Sequence, residues 1–365
     1  MLCVYIFLVL ALSRVGLSSL QDKQTDFGLK VFYQLAQEST DKNVVLSPYG
    51  VASVLAMAQL GANGNTSKTI TMKNKTRPAE RGMLRQQWLL QRGLSTEEGV
   101  EIANGVMVER KMNLEKRYHR TLAKAFKTNP HQVDFTKPDQ AISVINAWVS
   151  DHTAGLIPEF LQSGSLTDQT RLVLLNALHF QGLWKIPFDP KLTQERMFHC
   201  ANGSTVPVHM MRITNRFNYG EFVTADGVDY DVIEVPYEGD LLSMLLVSPF
   251  EPEVPLSTLS ADLSSQKIRQ WRTELRNVRR QLALPRFTLD SEVNLKTALV
   301  NMGLGDIFNP ATADFTRITC KSTFLLNVHL SGVTVVPEVQ QVIYQSESDA
   351  VLLSASLGLQ HKVMK

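Results

Sequence analysis

The chain has 365 residues, of which 44% are hydrophobic and 20% charged, a composition typical of a globular protein with a sizeable core. This composition excludes a wholly disordered chain. The 37 Lys and Arg residues nearly balance the 35 Asp and Glu residues, and the net charge of +2 gives no reason to expect nucleic acid or a membrane surface as a partner of the whole protein.

The first 19 residues have the pattern of a secretory signal peptide. An apolar run over residues 2–12 is too short to span a bilayer. Small residues up to Ser19 and then the polar stretch QDKQTD follow it, although the usual basic residue before the apolar run is missing. We therefore predict cleavage near Ser19 and secretion into the extracellular space.

Three sequons for N-linked glycans agree with a secretory route, each usable only if it is exposed in a loop. They are Asn65 (NTS), Asn74 (NKT) and Asn202 (NGS). The three cysteines are too few for a disulfide scaffold, and loss of the signal peptide would leave two of them. Whether Cys200 and Cys320 pair stays open.

The first half of the chain is predicted to contain three helices and two strands. Residues 26–38 carry one apolar stripe and predict a packing helix. A short apolar strand over 43–46 precedes Ser47, which is predicted to cap a helix that is poor in charge and therefore buried on most sides. Residues 139–153 predict an amphipathic helix ended by Gly155.

The apolar run 172–180 predicts a strand that is covered on both faces. It contains a single amide side chain, Asn176. Two interpretations of Asn176 remain open: a surface residue on an edge strand, or a buried amide that organises a hydrogen-bond network.

The second half is predicted to be mainly strands. Residues 230–237 alternate like a half-buried strand, and 241–250 are typical of a buried one. A helix is predicted near 266–277, and a strand followed by a helix from about Val293 ends at Gly303. No repeat or linker divides the chain, so we predict one mixed domain.

The sequence offers little that resembles an active site. It has neither an HExxH motif nor a GxSxG turn. The glycines of residues 303–308 follow a helix, and we interpret them as a helix stop instead of a phosphate loop. His199 beside Cys200 lacks a second pair of metal ligands. We predict no enzyme, metal or cofactor.

Four blocks of residues, taken in this order, resemble the serpin family, and the resemblance extends from about Asp26 to Ile318. The matching residues are Asn43, Ser47, Pro48, Val51 and Met57; Asn146, Trp148, Thr153 and Gly155; Asn176, Phe180, Gly182, Trp184 and Phe188; and Leu284, Pro285 and Phe287.

The resemblance implies an α+β fold with three β-sheets and about eight helices. It also implies inhibition of trypsin-like serine proteases, with the urokinase-type and tissue-type plasminogen activators as targets. The cleaved reactive loop of such an inhibitor inserts into the large sheet while the protease stays covalently attached. By the same resemblance, Ser47 and Asn176 lie in the shutter beneath that sheet, and Trp184 lies near the breach where insertion starts.

The C-terminal part departs from the family pattern. The family has an acidic, glycine-containing hinge, a small-residue loop and a Phe-rich pair of strands, and residues 319–365 contain none of these in order. VHLSGVTVV has the composition of a strand. The Arg-Met pair Arg196 and Met197 lies far upstream, in a block that otherwise aligns with the body, and makes a poor scissile bond. We therefore divide the chain into a signal peptide (1–19), a serpin body (20–318) and a divergent tail (319–365), and predict weak inhibition or an incomplete isoform.

Two surfaces are candidates for non-protease partners. Arg77, Arg81 and Arg85 are spaced four apart, which predicts one basic helical face suited to heparin, although a merely solvated face is the alternative. A family member binds vitronectin through a region where Arg110 and Gln132 match. Two further residues there, His119 and Ala123, depart from its pattern. We interpret another group of arginines as solvent-facing: Arg272, Arg276, Arg279 and Arg280.

Overall fold

A computed structural model describes residues 9–12, 19–38, 46–73, 80–94, 100–153, 155, 157–199, 204–240, 242–251, 254–319 and 327–336. The helices among them are α1 Ser19–Glu38, α2 Pro48–Gly61, α3 Gly64–Lys73, α4 Glu80–Leu94, α5 Lys116–Phe126, α6 Pro138–His152, α7 Leu256–Ala261, α8 Ser265–Glu274 and α9 Lys296–Leu299. The strands are β1 Val9–Leu12, β2 Val100–Glu109, β3 Pro130–Val133, β4 Leu172–Gln181, β5 Gln194–His199, β6 Thr205–Val223, β7 Asp229–Pro236, β8 Leu242–Pro249, β9 Arg276–Pro285, β10 Phe287–Asn294 and β11 Asn327–Val336. The predicted α+β class is confirmed.

A five-stranded sheet has the strand order β10-β11-β4-β2-β3. Successive side chains of a strand point to opposite faces. Leu172 and Leu174 of β4 accordingly join a cluster with α2, whereas Val173 and Leu175 join a cluster with Ile145 of α6. β4 is thus covered on both faces, as its continuous apolar run predicts.

The remaining strands form a second, six-stranded sheet with the order β1-β8-β7-β6-β5 and with β9 paired to β6. The 19-residue β6 pairs with β5 and β9 along its first part and with β7 along its last part. Because this one long strand joins both ladders, the described strands form two sheets, where the resemblance implies three.

Strand β8 lies deep in this second sheet. All eight of its residues are buried. Its side chains alternate between two apolar clusters, one containing Met244 and Leu246 and the other containing Leu245 and Val247. On the edge away from β7 it pairs with the four residues of β1, which belong to the segment predicted to be a signal peptide.

Local signals explain several boundaries. The Ser47 hydroxyl accepts a hydrogen bond from the Gly50 amide at 3.0 Å and caps α2, as predicted. α2 itself is almost wholly buried, because its sequence PYGVASVLAMAQLG contains no charged residue. α6 ends before Gly155, which has a φ of 79° that suits glycine.

Three predicted boundaries are wrong. α1 begins at Ser19, upstream of the predicted start at residue 26. α8 ends at Glu274, before the predicted residue 277, because Leu275 turns to an extended conformation and β9 begins at once. β10 continues to Asn294, so the next helix begins at Lys296 instead of 293.

The segment before the predicted tail is tightly joined to the body. The Gly61 carbonyl accepts a hydrogen bond from the Arg317 amide, and the Ile318 carbonyl accepts one from the Glu115 amide at 2.8 Å. The Ile318 side chain is fully buried and lies where a Cβ on Gly61 would stand. None of the described helices is long and apolar enough to cross a membrane.

Candidate functional site

Asn176 occupies the centre of the five-stranded sheet. Its position on β4 is opposite Asn104 of β2 on one side and opposite Leu330 of β11 on the other. Asn176 is 1% exposed and Asn104 is 4% exposed. Asn176 is therefore a buried amide, and the interpretation as a surface residue on an edge strand is wrong.

A buried hydrogen bond joins these two amides. Asn176 Nδ2 donates to Asn104 Oδ1 at 2.9 Å. Within the described part of the chain, Asn104 Nδ2 and Asn176 Oδ1 have no further hydrogen-bond partner. The bond links the side chains of β2 and β4 at this register of the two strands.

Polar groups from the helices lie next to this pair. Burial raises the pKa of Tyr49 on α2, while contacts with Ser53 and Asn104 partly oppose the rise. The Ser53 hydroxyl also donates to Gln87 Oε1 of α4 at 3.4 Å. The arrangement forms a polar layer between α2, α4 and the sheet, inside an otherwise apolar core.

Ser47 and Trp184, the other two residues assigned to the sheet machinery, take part in different contacts. The Ser47 side chain caps α2. Trp184 follows the end of β4 and is 2% exposed, with its ring stacked on Tyr237 at 4.5 Å. The edge of Phe188 faces the same ring. Trp184 therefore packs the end of β4 against the second sheet.

The β4 and β11 strands are parallel neighbours through nine paired positions, from Val173 with Asn327 to Gln181 with Val335. β11 also pairs with β10 in the antiparallel sense. A strand placed between two parallel strands can run antiparallel to both, which exchanges slanted hydrogen bonds for the slightly more stable antiparallel ladder. The β4–β11 boundary is one of two parallel boundaries among the described strands of this sheet, the other being that between β2 and β3.

The candidate partner surfaces are placed only in part. Arg85 is exposed on α4, which begins at Glu80; Arg77 and the side chain of Arg81 lie outside the described residues. Arg110 and Gln132 are both exposed, and the Arg110 amide donates to the Val133 carbonyl beside Gln132. The structure thus brings the two vitronectin candidates to the same end of the sheet.

The remaining predicted sites fall in different places. Asn65 is exposed, but it lies in the first turn of α3 and not in a loop, so that part of the prediction is wrong. Asn74, Asn202, Cys200 and Cys320 lie outside the described residues. Arg196 and Met197 are exposed on β5, which stands at the end of the strand order of the second sheet.

Asn104 is a functional candidate that the sequence reasoning missed. It lies within the strand VEIANGVMVE, where it is a single amide in a largely apolar run. The same signal drew attention to Asn176. The pairing of the two amides could not be inferred, because it depends on the register of strands that are 72 residues apart.

Residues 22–341 match the family model described as "Serpin (serine protease inhibitor)". The chain belongs to the serpin family. It is 42% identical over 343 residues to plasminogen activator inhibitor 1 of Sus scrofa, an alignment that covers 93% of this chain and 85% of the relative. Glia-derived nexin of Rattus norvegicus is 34% identical over 312 residues, which cover 84% of this chain and 78% of the relative.

Solved structures give the same assignment. The structure titled "Crystal structure of native protease nexin-1 with heparin" has a TM-score of 0.82 and 32% identity and covers 90% of this chain and 91% of its own. The family match continues past Ile318 through β11, so β11 belongs to the matched region. Serpins are protease inhibitors rather than enzymes, and this general function fits the chain.

Proposed function

We propose that this chain is a secreted serpin built on the plan of a plasminogen activator inhibitor, with the sheet for suicide trapping present and the reactive loop missing. The parallel β4–β11 pair carries the proposal, because these two hydrogen-bonded strands would have to separate to admit a cleaved loop between them. Strand insertion is a mode of recognition for which serpins are a known example.

Asn176 and Asn104 have a defined part in this proposal. Their hydrogen bond crosses from β2 to β4 on the α2 side of the sheet, and Asn176 lies next to β11. Separating β4 from β11 moves β4, so a bond that holds β4 to β2 makes the β2–β4 pair one moving unit. Ser47 contributes by fixing the start of α2 beneath the same strands, and Trp184 by anchoring the end of β4.

The missing element is the loop itself. A loop that leaves β11 by a tight turn would begin after Val336, and the following residues, PEVQQVIYQSESDAVLLSASLG, lack an acidic, glycine-containing hinge. Only small side chains can enter between two strands without overpacking, and this segment carries large ones where the loop should begin. We therefore expect weak or absent inhibition of urokinase-type and tissue-type plasminogen activators.

Two reactions test this proposal. The natural chain, mixed with urokinase-type plasminogen activator, should give no SDS-stable complex at any ratio. A chimaera in which residues 319–365 are replaced by the C-terminal segment of the pig relative should give one. A stable complex with the natural chain would show that its own tail supplies a loop. A folded chimaera that forms no complex would show that the body lacks the trapping mechanism.

A non-inhibitory, glycosaminoglycan-binding role is the second candidate function. Arg85 is exposed on α4, and Arg81 lies one helical turn before it. Together with Arg77 they form the proposed heparin site, and Arg110 with Gln132 the proposed vitronectin site. Loss of retention on immobilised heparin in an R77A/R81A/R85A variant would support the first site, and unchanged retention would remove it.

A further inference from the structure

We propose that the outer face of the β6–β9 ribbon binds a sulfated glycosaminoglycan. This surface, the basic ribbon face, does not depend on the proposed inhibitory function or on the α4 site. It consists of Arg212, Thr214, Arg216 and Asn218 of β6 with Asn277, Arg279 and Gln281 of β9.

The strand register puts these side chains on one face. β6 and β9 are antiparallel, with Arg216 opposite Arg279 and Thr214 opposite Gln281, and directly opposed residues project to the same side. The alternate positions, which include Met211, Phe217 and Leu284, are buried in an apolar cluster. Around these positions one side of the ribbon packs in the core, and the basic ribbon face lies on the opposite side.

The charges on this face are not balanced within the fold. Arg216 and Arg279 are exposed and directly opposed, and like charges at such positions destabilise a sheet. Within the part of the chain that the structure describes, no carboxylate forms an ion pair with Arg212, Arg216 or Arg279. A polyanion that contacts both strands would relieve this repulsion.

One arginine of the pair is already oriented. Arg216 donates from Nε to Asn277 Oδ1 at 2.8 Å and from a terminal nitrogen to the Asn277 carbonyl at 2.6 Å. These bonds hold the guanidinium flat along the ribbon and leave other N–H groups for a ligand. Arg212 lies four residues away on the same strand, about 13 Å along the ribbon at 3.3–3.4 Å per residue.

Two nearby acidic residues have partners other than the arginines of this face. Glu221 accepts from the Tyr219 hydroxyl and lies 3.9 Å from Arg280, and their positions alternate with those of the basic ribbon face. Glu234 lies opposite Asn218, on the same side as the basic ribbon face, where it accepts from Asn218 and from Ser243. It lies 3.9 Å from Arg272, so the described ion pairs leave Arg212, Arg216 and Arg279 without a carboxylate partner.

The shape of the face favours a linear polyanion. Arginines recur along this face with polar side chains such as Thr214 and Gln281 between them, whereas a protein partner would be expected to bury apolar or aromatic anchors at the centre of its contact. Arginine is suited to sulfate-like oxyanions because its planar fork donates two parallel hydrogen bonds. A sulfated polysaccharide supplies such groups repeatedly along one chain.

The test measures binding of the full chain to heparin over a series of salt concentrations. The R216A/R279A variant should bind about tenfold more weakly, and the slope of log affinity against log salt should fall by about 1 to 2, as expected when two ion contacts are lost. The R120A/K124A variant removes the same charge from exposed positions of α5 and should change binding less than twofold. An R216K/R279K variant, which keeps the charge, should keep the slope.

The following results would contradict the proposal of a glycosaminoglycan site on the basic ribbon face. Equal loss in R216A/R279A and R120A/K124A would mean that only net charge matters. Unchanged binding of R216A/R279A would remove the face as a site. Desulfated heparin should bind weakly, and polyglutamate that competes as well as heparin would assign the face to acidic polypeptides instead. An R81A/R85A variant reports on the α4 site separately, so failure of one site is distinguishable from failure of the other.

Discussion

The bond between Asn104 and Asn176 should behave as one coupled unit in unfolding experiments. Replacing either residue by Ala leaves the other amide buried without its 2.9 Å partner, which costs about 1–3 kcal/mol. The double variant loses both groups and strands neither. We therefore expect the two single losses to exceed the double loss by about 1–2 kcal/mol.

Thermal unfolding can resolve effects of this size. At about 2.1 cal/mol/K per residue, 365 residues give an unfolding entropy of roughly 0.8 kcal/mol/K, so 1 kcal/mol corresponds to about 1.3 °C. Each single variant should lose roughly 1–4 °C in Tm. Asn113→Ala, at an exposed position, is the control and should combine additively with Asn104→Ala. Additivity of Asn104→Ala with Asn176→Ala within about 0.5 kcal/mol would refute the coupling.

Three further outcomes are expected. Gly61→Ala should lower the free energy of unfolding by about 1–3 kcal/mol, because its Cβ would lie 2.1 Å from Cγ1 of Ile318. The control Gly305→Ala, whose Cβ would have its nearest neighbour at 3.7 Å, should lower it far less. Equal losses of the two variants in urea titrations would contradict the packing argument. Burial raises the pKa of Asp231 to about 6, above its unfolded value of about 3.9, so stability should fall as pH rises from about 4 to 6. Asp231→Asn should flatten that part of the stability profile, and an unchanged slope would exclude this carboxyl as the cause. Asn65 lies in the first turn of α3 and not in a loop, so we expect it to carry no glycan in a secreted preparation; a mass loss on enzymatic deglycosylation that Asn65→Gln abolishes would contradict this.

Much of the body could be predicted from the sequence, because local chemistry decides those elements. Ser47 and Pro48 define the start of α2, and the apolar run around Asn176 defines a strand covered on both faces. The boundaries that failed depend on tertiary pairing. α8 stops at Glu274 because β9 pairs with β6, and no local signal in the preceding turn marks that stop.

The candidate site could be predicted residue by residue but not as an arrangement. Asn176 was recognisable as an amide in an apolar run, whereas its partner Asn104 required the register between β2 and β4. The opposed pair of Arg216 and Arg279 was hidden for the same reason. From the sequence, Arg279 is only one of several arginines expected to face solvent. Its position opposite Arg216 depends on the pairing of β9 with β6.

Strand β8 has a consequence for the maturation of this protein. All eight of its residues are buried. The described strand on its outer edge is the four-residue β1, which belongs to the signal peptide that we expect to be removed. If export trims that segment, the outward amides and carbonyls of Leu242 to Leu245 lose their partners. An unprotected edge of this kind is a template for pairing with another chain. The event that releases the protein from the cell would then also make it prone to self-association.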